Sequence, residues 1–263
     1  FTQSEVQALP VPLDVTAVAM LAPTVVKGDA GLGNLPSFGG SSVLENGYYI
    51  NGFDVTNIRN FGSYANLPFD AIEQQQIKTG GYGAEYGRSL GGVISIATKR
   101  GTNEWKGGLS ASVQPSSLQT KGHNLVDKQP DFAGNYFLFG KDNTADSKNY
   151  TAYLGGPVIK DKLFVFALIE KPDERSDTFG KTQSHTYSNT TPTGLLKVDW
   201  NIADGHTLEA TGIYNKVRHD IVDYTNAKPY STLHDGIGKN SHYITGGTVA
   251  IGKYTAAITD NFT

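Results

Sequence analysis

The sequence predicts a mostly β protein: a mixed α+β amino-terminal region, then antiparallel strands of the kind that build a transmembrane β-barrel. Three observations predict it. Beyond residue 104 apolar and polar positions alternate. The connections between those strands are alternately long and short. No stretch approaches the roughly 18 apolar residues of a spanning helix, which leaves closed strands as the way to cross a membrane.

Bulk properties narrow the classes further. The 263 residues carry a formal net charge of −3 and no cysteine. That balance offers no basic face to nucleic acid. The lack of Cys removes disulfide scaffolds, thiol catalysis and zinc–thiolate sites together. Apolar residues make up 38 %, while Gly (31), Tyr (14) and Phe (12) are plentiful, a mixture that suits β-structure rich in turns. The chain opens Phe1-Thr2-Gln3 without a signal-like segment, which reads as a processed product or an internal fragment.

Residues 14–21 form the one expected helix of the first half, opened by Pro10 and Pro12 and stopped before Pro23. Residues 46–56 suggest a hairpin turning at Asn51-Gly52. Residues 69–76, after Pro68, suggest a short helix. Residues 76–79 and 93–98 suggest strands bounded by Gly80-Gly81 and Gly91-Gly92.

The second half carries the stronger pattern. Trp105, Gly107, Leu109, Ala111 and Val113 alternate with Lys106, Gly108, Ser110 and Ser112. Further strands are expected near 149–158, 163–170, 194–200, 207–215 and 242–258. The turns at 159–162 and Asp204-Gly205 are short, and 259–262 suggests one more. The connections 116–148, 171–193 and 216–241 are long, polar and expected as exposed loops. The strand at 163–170 is apolar on both faces, so its inner face must meet something other than water. Alternation alone leaves a soluble sandwich or barrel open beside the membrane barrel.

Residues 67–103 read LPFDAIEQQQIKTGGYGAEYGRSLGGVISIATKRGTN. This segment closely resembles the carboxy-terminal signature of the plug domain of TonB-dependent outer-membrane receptors. The matching residues are Ile72-Glu73, where the family signature starts a helix, then Gly80-Gly81, Tyr86-Gly87, Gly91-Gly92 and Thr98-Lys99. The run 45–56, the run 80–88, the hairpin 155–164 and the strand 196–200 resemble the Oar-like branch of that family. The resemblance implies a plug domain over 1–100. It implies the first strands and long extracellular loops of an incomplete barrel over 101–263, about six strands. A plug of that size cannot fit an eight-stranded barrel, so the remainder of the barrel is expected elsewhere in a longer receptor.

The same resemblance supplies the candidate site. Glu85, Tyr86, Gly87, Arg88, Gly91 and Gly92 are the expected plug signature and gating residues. Glu85 and Arg88 are expected to join a polar network between plug and barrel wall; the alternative is an ordinary solvated ion pair. Tyr64 and Asn66, at the plug apex, are candidate ligand contacts. Residues 80–87 lack the Gly-Lys-Ser/Thr ending of a phosphate loop. The six His have no metal-ligand spacing; a metal site among His219, Asp220, Asp223, Asp235 and His242 is outweighed by a solvated loop. There is no G-x-S-x-G. No enzyme activity, cofactor or metal is expected.

The implied function is TonB-dependent active transport across the bacterial outer membrane. The implied partners are the TonB-ExbB-ExbD energy complex, acting through an upstream segment, the remainder of the barrel, outer-membrane lipid and an extracellular substrate of unknown class. The alternative is a surface-displayed binding or assembly protein that uses the same scaffold without transport.

Overall fold

The computed structural model describes residues 1–9, 14–29, 32, 34–59, 62–87, 89–129, 134–226, 234 and 236–257. Two short helices open the chain, α1 (Gln3–Gln7) and α2 (Val15–Ala19). Asp14 caps α2 by accepting from Ala17 N–H at 2.8 Å. The expected helix is therefore present; Pro10 and Pro12 lie outside the described residues.

Strands β1 (Val25–Lys27) and β2 (Pro36–Phe38) form a small ribbon. The central sheet of this first region holds β3 (Gly47–Ile50), β4 (Phe53–Asp54), β5 (Ile72–Lys78) and β6 (Val93–Thr98) in the order β4-β3-β6-β5. Asn51 and Gly52 both take positive φ, +51° and +84°, as a two-residue β3–β4 turn requires. The expectation of a helix over 69–76 is corrected. Only residues Phe69–Ala71 make a 3₁₀ turn, and Ile72 already pairs with Thr98. Glu and Gln favour helix locally, but the ladder to β6 and the burial of Ile72 and Gln75 override that preference.

The second region is one curled antiparallel sheet, a half-barrel. It is built from β7 (Lys106–Gln114), β10 (Thr144–Ile159), β11 (Leu163–Phe179), β12 (Gln183–Asn189), β13 (Thr193–Ala203), β14 (His206–Tyr214), β15 (Val217–Thr225), β16 (Ile237–Thr245) and β17 (Thr248–Ala256). A separate ribbon, β8 (Asn124–Val126) with β9 (Tyr136–Phe139), sits in the first long connection. The order across the lower wall is β7-β10-β11-β13-β14-β17; five expected spans are present. The sixth, expected as one strand over 242–258, is corrected, because the chain turns at Gly246 (φ +71°), leaving 242–245 in β16 and only β17 in the wall. Two of the expected loops are corrected. Residues 171–179 continue β11 and 183–189 return as β12, while residues 217–225 rise as β15 and 237–245 return as β16. These hairpins pair in the order β11-β12-β15-β16. The β11 extension and β12 are polar on both faces, and β15 and β16 mix polar and apolar residues on each, so alternation of apolar residues does not detect them.

Neighbouring residues on a strand point to opposite faces, and here the two faces differ sharply. Leu195 is 4 % exposed and Leu196 is 50 % exposed. Phe166, Leu168, Leu195, Ile213 and Ile251 face inward and join one apolar cluster with Ile50, Ile72, Ile94 and Ile96 of the first region. The plug core and the barrel wall thus share a single hydrophobic core. Leu109, Leu154, Ile169, Leu196, Trp200, Tyr214 and Tyr254 face outward and exposed.

Candidate functional site

The Gly-rich signature is tied down mainly by tyrosine and serine. Tyr49 donates its hydroxyl to Gly87 O at 3.3 Å, and the Tyr82 hydroxyl lies 3.2 Å from the carbonyls of Ser89 and Gly91. Ser89 Oγ reaches Gly92 O at 3.0 Å, while the Gly91 N–H donates to Glu45 O at 3.0 Å. Tyr86 stands edge-on to Tyr49, with ring centres 5.0 Å apart, and Lys78 Nζ lies 4.4 Å over its ring. The two glycine pairs differ in their reasons. A Cβ at Gly92 would run into the Phe38 ring, and one at Gly91 would meet Asn46 Oδ1 at 2.7 Å. At Gly81 the need is a positive φ of +66°.

Glu85 is exposed and forms no ion pair among the described residues. Arg88 lies outside the described residues, so the Glu85–Arg88 network stays an expectation. The polar ties between plug and wall run elsewhere. Asn51 Nδ2 donates to Thr211 Oγ at 3.2 Å, Asn215 Nδ2 to Tyr64 O at 3.0 Å, and Ser110 Oγ to Asp70 Oδ2 at 2.9 Å. Sequence reasoning missed all three, because partners as far apart as 151 and 160 residues leave no local pattern.

Tyr64, expected at the plug apex, is half-exposed, its hydroxyl donating to Asp54 O at 3.2 Å. Asn66 is exposed and lines a cavity of about 440 Å³ between plug and wall. Asp14, Tyr48, Phe69, Asn149 and Glu170 line the same space. Glu170 and Asn149 come from the inner face, so plug and wall build this cavity jointly.

Above it the inner face continues along the extended hairpins. His219 accepts or donates at both ring nitrogens, 2.9 Å from the Tyr187 hydroxyl and 2.7 Å from Thr245 Oγ, and it stacks on Tyr243 at 4.5 Å. Burial first, then Glu174 and Tyr243, push the Tyr187 phenol up to about 12, so it stays a neutral donor over the ordinary pH range. His185 meets Asp223 at 2.5 Å on the same face. Among the described residues no group of three or more His, Cys, Asp or Glu is placed to hold a metal ion. Asp235 lies outside the described residues.

A mixed plug sheet packed inside a curled wall, with an apolar outward face and long hairpins at one end, defines a class: a plug-bearing β-barrel protein of the bacterial outer membrane. No family model matches the chain. It is 29 % identical over 245 residues to the TonB-dependent transporter Oar of Myxococcus xanthus, a match covering 86 % of this chain and 22 % of that protein. The outer membrane transporter YddB from Escherichia coli aligns at a TM-score of 0.62 with 16 % identity, over 97 % of this chain and 44 % of that one. The siderophore receptor PirA from Pseudomonas aeruginosa aligns at a TM-score of 0.43 with 13 % identity, over 97 % of this chain and 42 % of that one. Within that class the chain is similar in sequence to a TonB-dependent transporter of the Oar type. It spans less than a quarter of the length of the curated relative it matches. The named relatives are transporters and receptors, not enzymes.

Proposed function

We propose that this chain is the plug and opening wall of a receptor that moves a substrate across the outer membrane by TonB-dependent transport. The plug, taken as residues 1–100, gates the barrel begun by residues 101–263. The observation that carries the reading is the plug–wall boundary. It is an apolar contact tied by a few hydrogen bonds, the neutral Asn51–Thr211 and Asn215–Tyr64 and the Ser110–Asp70 bond to a carboxylate. The neutral bonds contribute only about 0.5–1.5 kcal/mol each and the bond to the carboxylate about 1.5–3, so the apolar contact seats the plug and few polar ties must break when it is displaced. In this reading the TonB-ExbB-ExbD complex supplies that pull through an upstream segment. Tyr64 and Asn66 meet the arriving substrate, and the signature around Glu85, Tyr86, Gly87, Arg88, Gly91 and Gly92 shifts as the gate.

The test uses cells that produce the full-length receptor, with and without a working energy complex. Solutes lost from the medium are identified by mass spectrometry. Transport predicts at least one solute whose loss needs both the receptor and the complex. A disulfide between N51C and T211C should stop that loss until a reductant is added. Surface binding without energy-dependent loss would instead support the display role.

A further inference from the structure

We propose that Lys171 and Lys216 form a binding site for a phosphate-bearing lipid headgroup in the extracellular leaflet. The sheet register carries the argument. On the outward face, cross-strand partners fall into rows, and each row lies two residues above the last. One row runs Leu163, Trp200, Leu208, Tyr254. The next rows hold Val165, Val198, Ala210 and Gly252, then Leu154, Ala167, Leu196, Gly212 and Ala250, then Leu109, Ala152, Ile169, Gly194 and Tyr214. None of these residues is charged. The row above pairs Tyr150 with Lys171, and two residues beyond Tyr214 stands Lys216.

From Leu163 to Lys171 is eight steps, about 26 Å along the strand at roughly 3.3 Å per residue. A barrel tilt of roughly 35–45° reduces this to about 20 Å of depth, close to the roughly 25 Å apolar band of such barrels. The two lysines therefore stand where hydrocarbon ends, on the side of the long hairpins, which is the extracellular side.

Both are exposed, and neither forms an ion pair among the described residues. Their cationic neighbours are already matched: Arg218 Nε lies 2.8 Å from Asp220, and Lys148 Nζ lies 3.9 Å from Asp173. Lys171 and Lys216 are two strands apart, about 10 Å at roughly 4.8 Å per strand. The exposed Pro192 stands at the break between β12 and β13 and puts no charge between them. Four-carbon stems let two ammonium groups converge on one phosphate while their chains cover the apolar band below. The site takes anionic lipid because Tyr150 and Tyr214 flank it on the same face, and aromatic rings of that kind sit at the headgroup level.

The test reconstitutes the full-length receptor in phosphatidylcholine vesicles doped with bisphosphorylated lipid A and counts retained lipid A by native mass spectrometry. The K171Q/K216Q double variant should retain roughly twenty-fivefold less, two cations at about fivefold each. K160Q/K162Q, which removes two exposed lysines at the opposite end, should retain as much as the parent. If the double variant does not fold, judged by heat-modifiable migration, K171Q and K216Q alone should each show about a fivefold loss. Equal retention in parent and variants overturns the proposal, as does an equal loss in K160Q/K162Q. Displacement of the lipid by inorganic phosphate at matching concentration would assign the site to a free anion and overturn it too.

Discussion

Asn215 donates its side-chain amide to the backbone carbonyl of Tyr64 at 3.0 Å, joining the barrel wall directly to the plug apex. Asn215 is 3 % exposed, and its other side-chain atom accepts from Gly247 N–H at 3.1 Å. One side chain thus braces both the apex and the junction between β16 and β17. Asn215→Ala removes the partner of two part-buried groups, the Tyr64 carbonyl and the Gly247 amide, at about 0.5–1.5 kcal/mol each. The expected result is faster amide exchange over residues 62–66, with exchange in β5 and β6 unchanged. Equal exchange in variant and parent would show that the tie does not hold the apex.

Leu195 and Leu196 are adjacent and face opposite solvents. Leu195 packs against the plug, so Leu195→Ala opens a cavity and costs about 2–5 kcal/mol. Leu196 belongs to the outward apolar rows, where Leu196→Ala should be mild. Leu196→Arg should cost about 2–4 kcal/mol near the middle of the bilayer. Urea unfolding of the full-length receptor in lipid vesicles measures all three. A soluble sandwich would tolerate the arginine at its exposed face, so a neutral Leu196→Arg would contradict the membrane orientation.

The same two-faced pattern explains how much the sequence disclosed. Alternation in 105–113 marks β7 because its outward residues are apolar and its inward ones small or polar. The turn at Asn51-Gly52 was legible because two positive φ angles demand those residues. Residues 171–189 were not legible as strands. They stand beyond the apolar band, are polar on both sides, and are held by the ladder from Glu174–Asn189 to Phe179–Ser184. The Glu-Gln run 73–76 misled in the other direction, since its local preference loses to pairing with β6. The plug–wall ties were unreadable because Asn51 and Thr211 are ordinary polar residues until the fold brings them together.

Lys181 Nζ lies 2.9 Å from Asp127 Oδ2, and both side chains are largely covered. With the Lys181 N–H donating to Phe137 O at 3.1 Å, this pair clips the first long connection to the tip of the β11–β12 hairpin. The Gln129 backbone N–H, then the Lys181 ammonium, hold the Asp127 carboxyl below its usual range. A carboxyl depressed on folding contributes fully above its unfolded value near 4 and loses that contribution as pH falls through the folded value. Amide exchange over 124–129 should therefore stay slow down to about pH 4 and rise below it. In Asp127→Asn it should be fast already at neutral pH and change little with acid.

Gly101 sets the carboxyl end of the plug against the wall more tightly than any side chain there. A Cβ at this buried position would meet Val165 O at 2.5 Å, Gly156 O at 2.8 Å and Val165 N at 2.9 Å, all backbone atoms of the β10–β11 hairpin. Two residues on, Asn103 donates to Asp161 Oδ1 at 2.5 Å and accepts from Asp161 N–H at 2.8 Å. Asn201 in turn donates to Asp161 O at 3.0 Å. The link from plug to barrel is thereby bound to the first short turn and, through it, to β13. Backbone ladders cannot move aside as a flexible side chain can, so Gly101→Ala should cost about 1–3 kcal/mol through overpacking. It should also lower the yield of heat-modifiable, folded receptor. Gly80→Ala is the matched control, since a Cβ there meets nothing within 4 Å and the change should stay within about 0.5 kcal/mol. If Gly101→Ala folded as well as Gly80→Ala, the linker would have room to move, and the plug would not be anchored at this end.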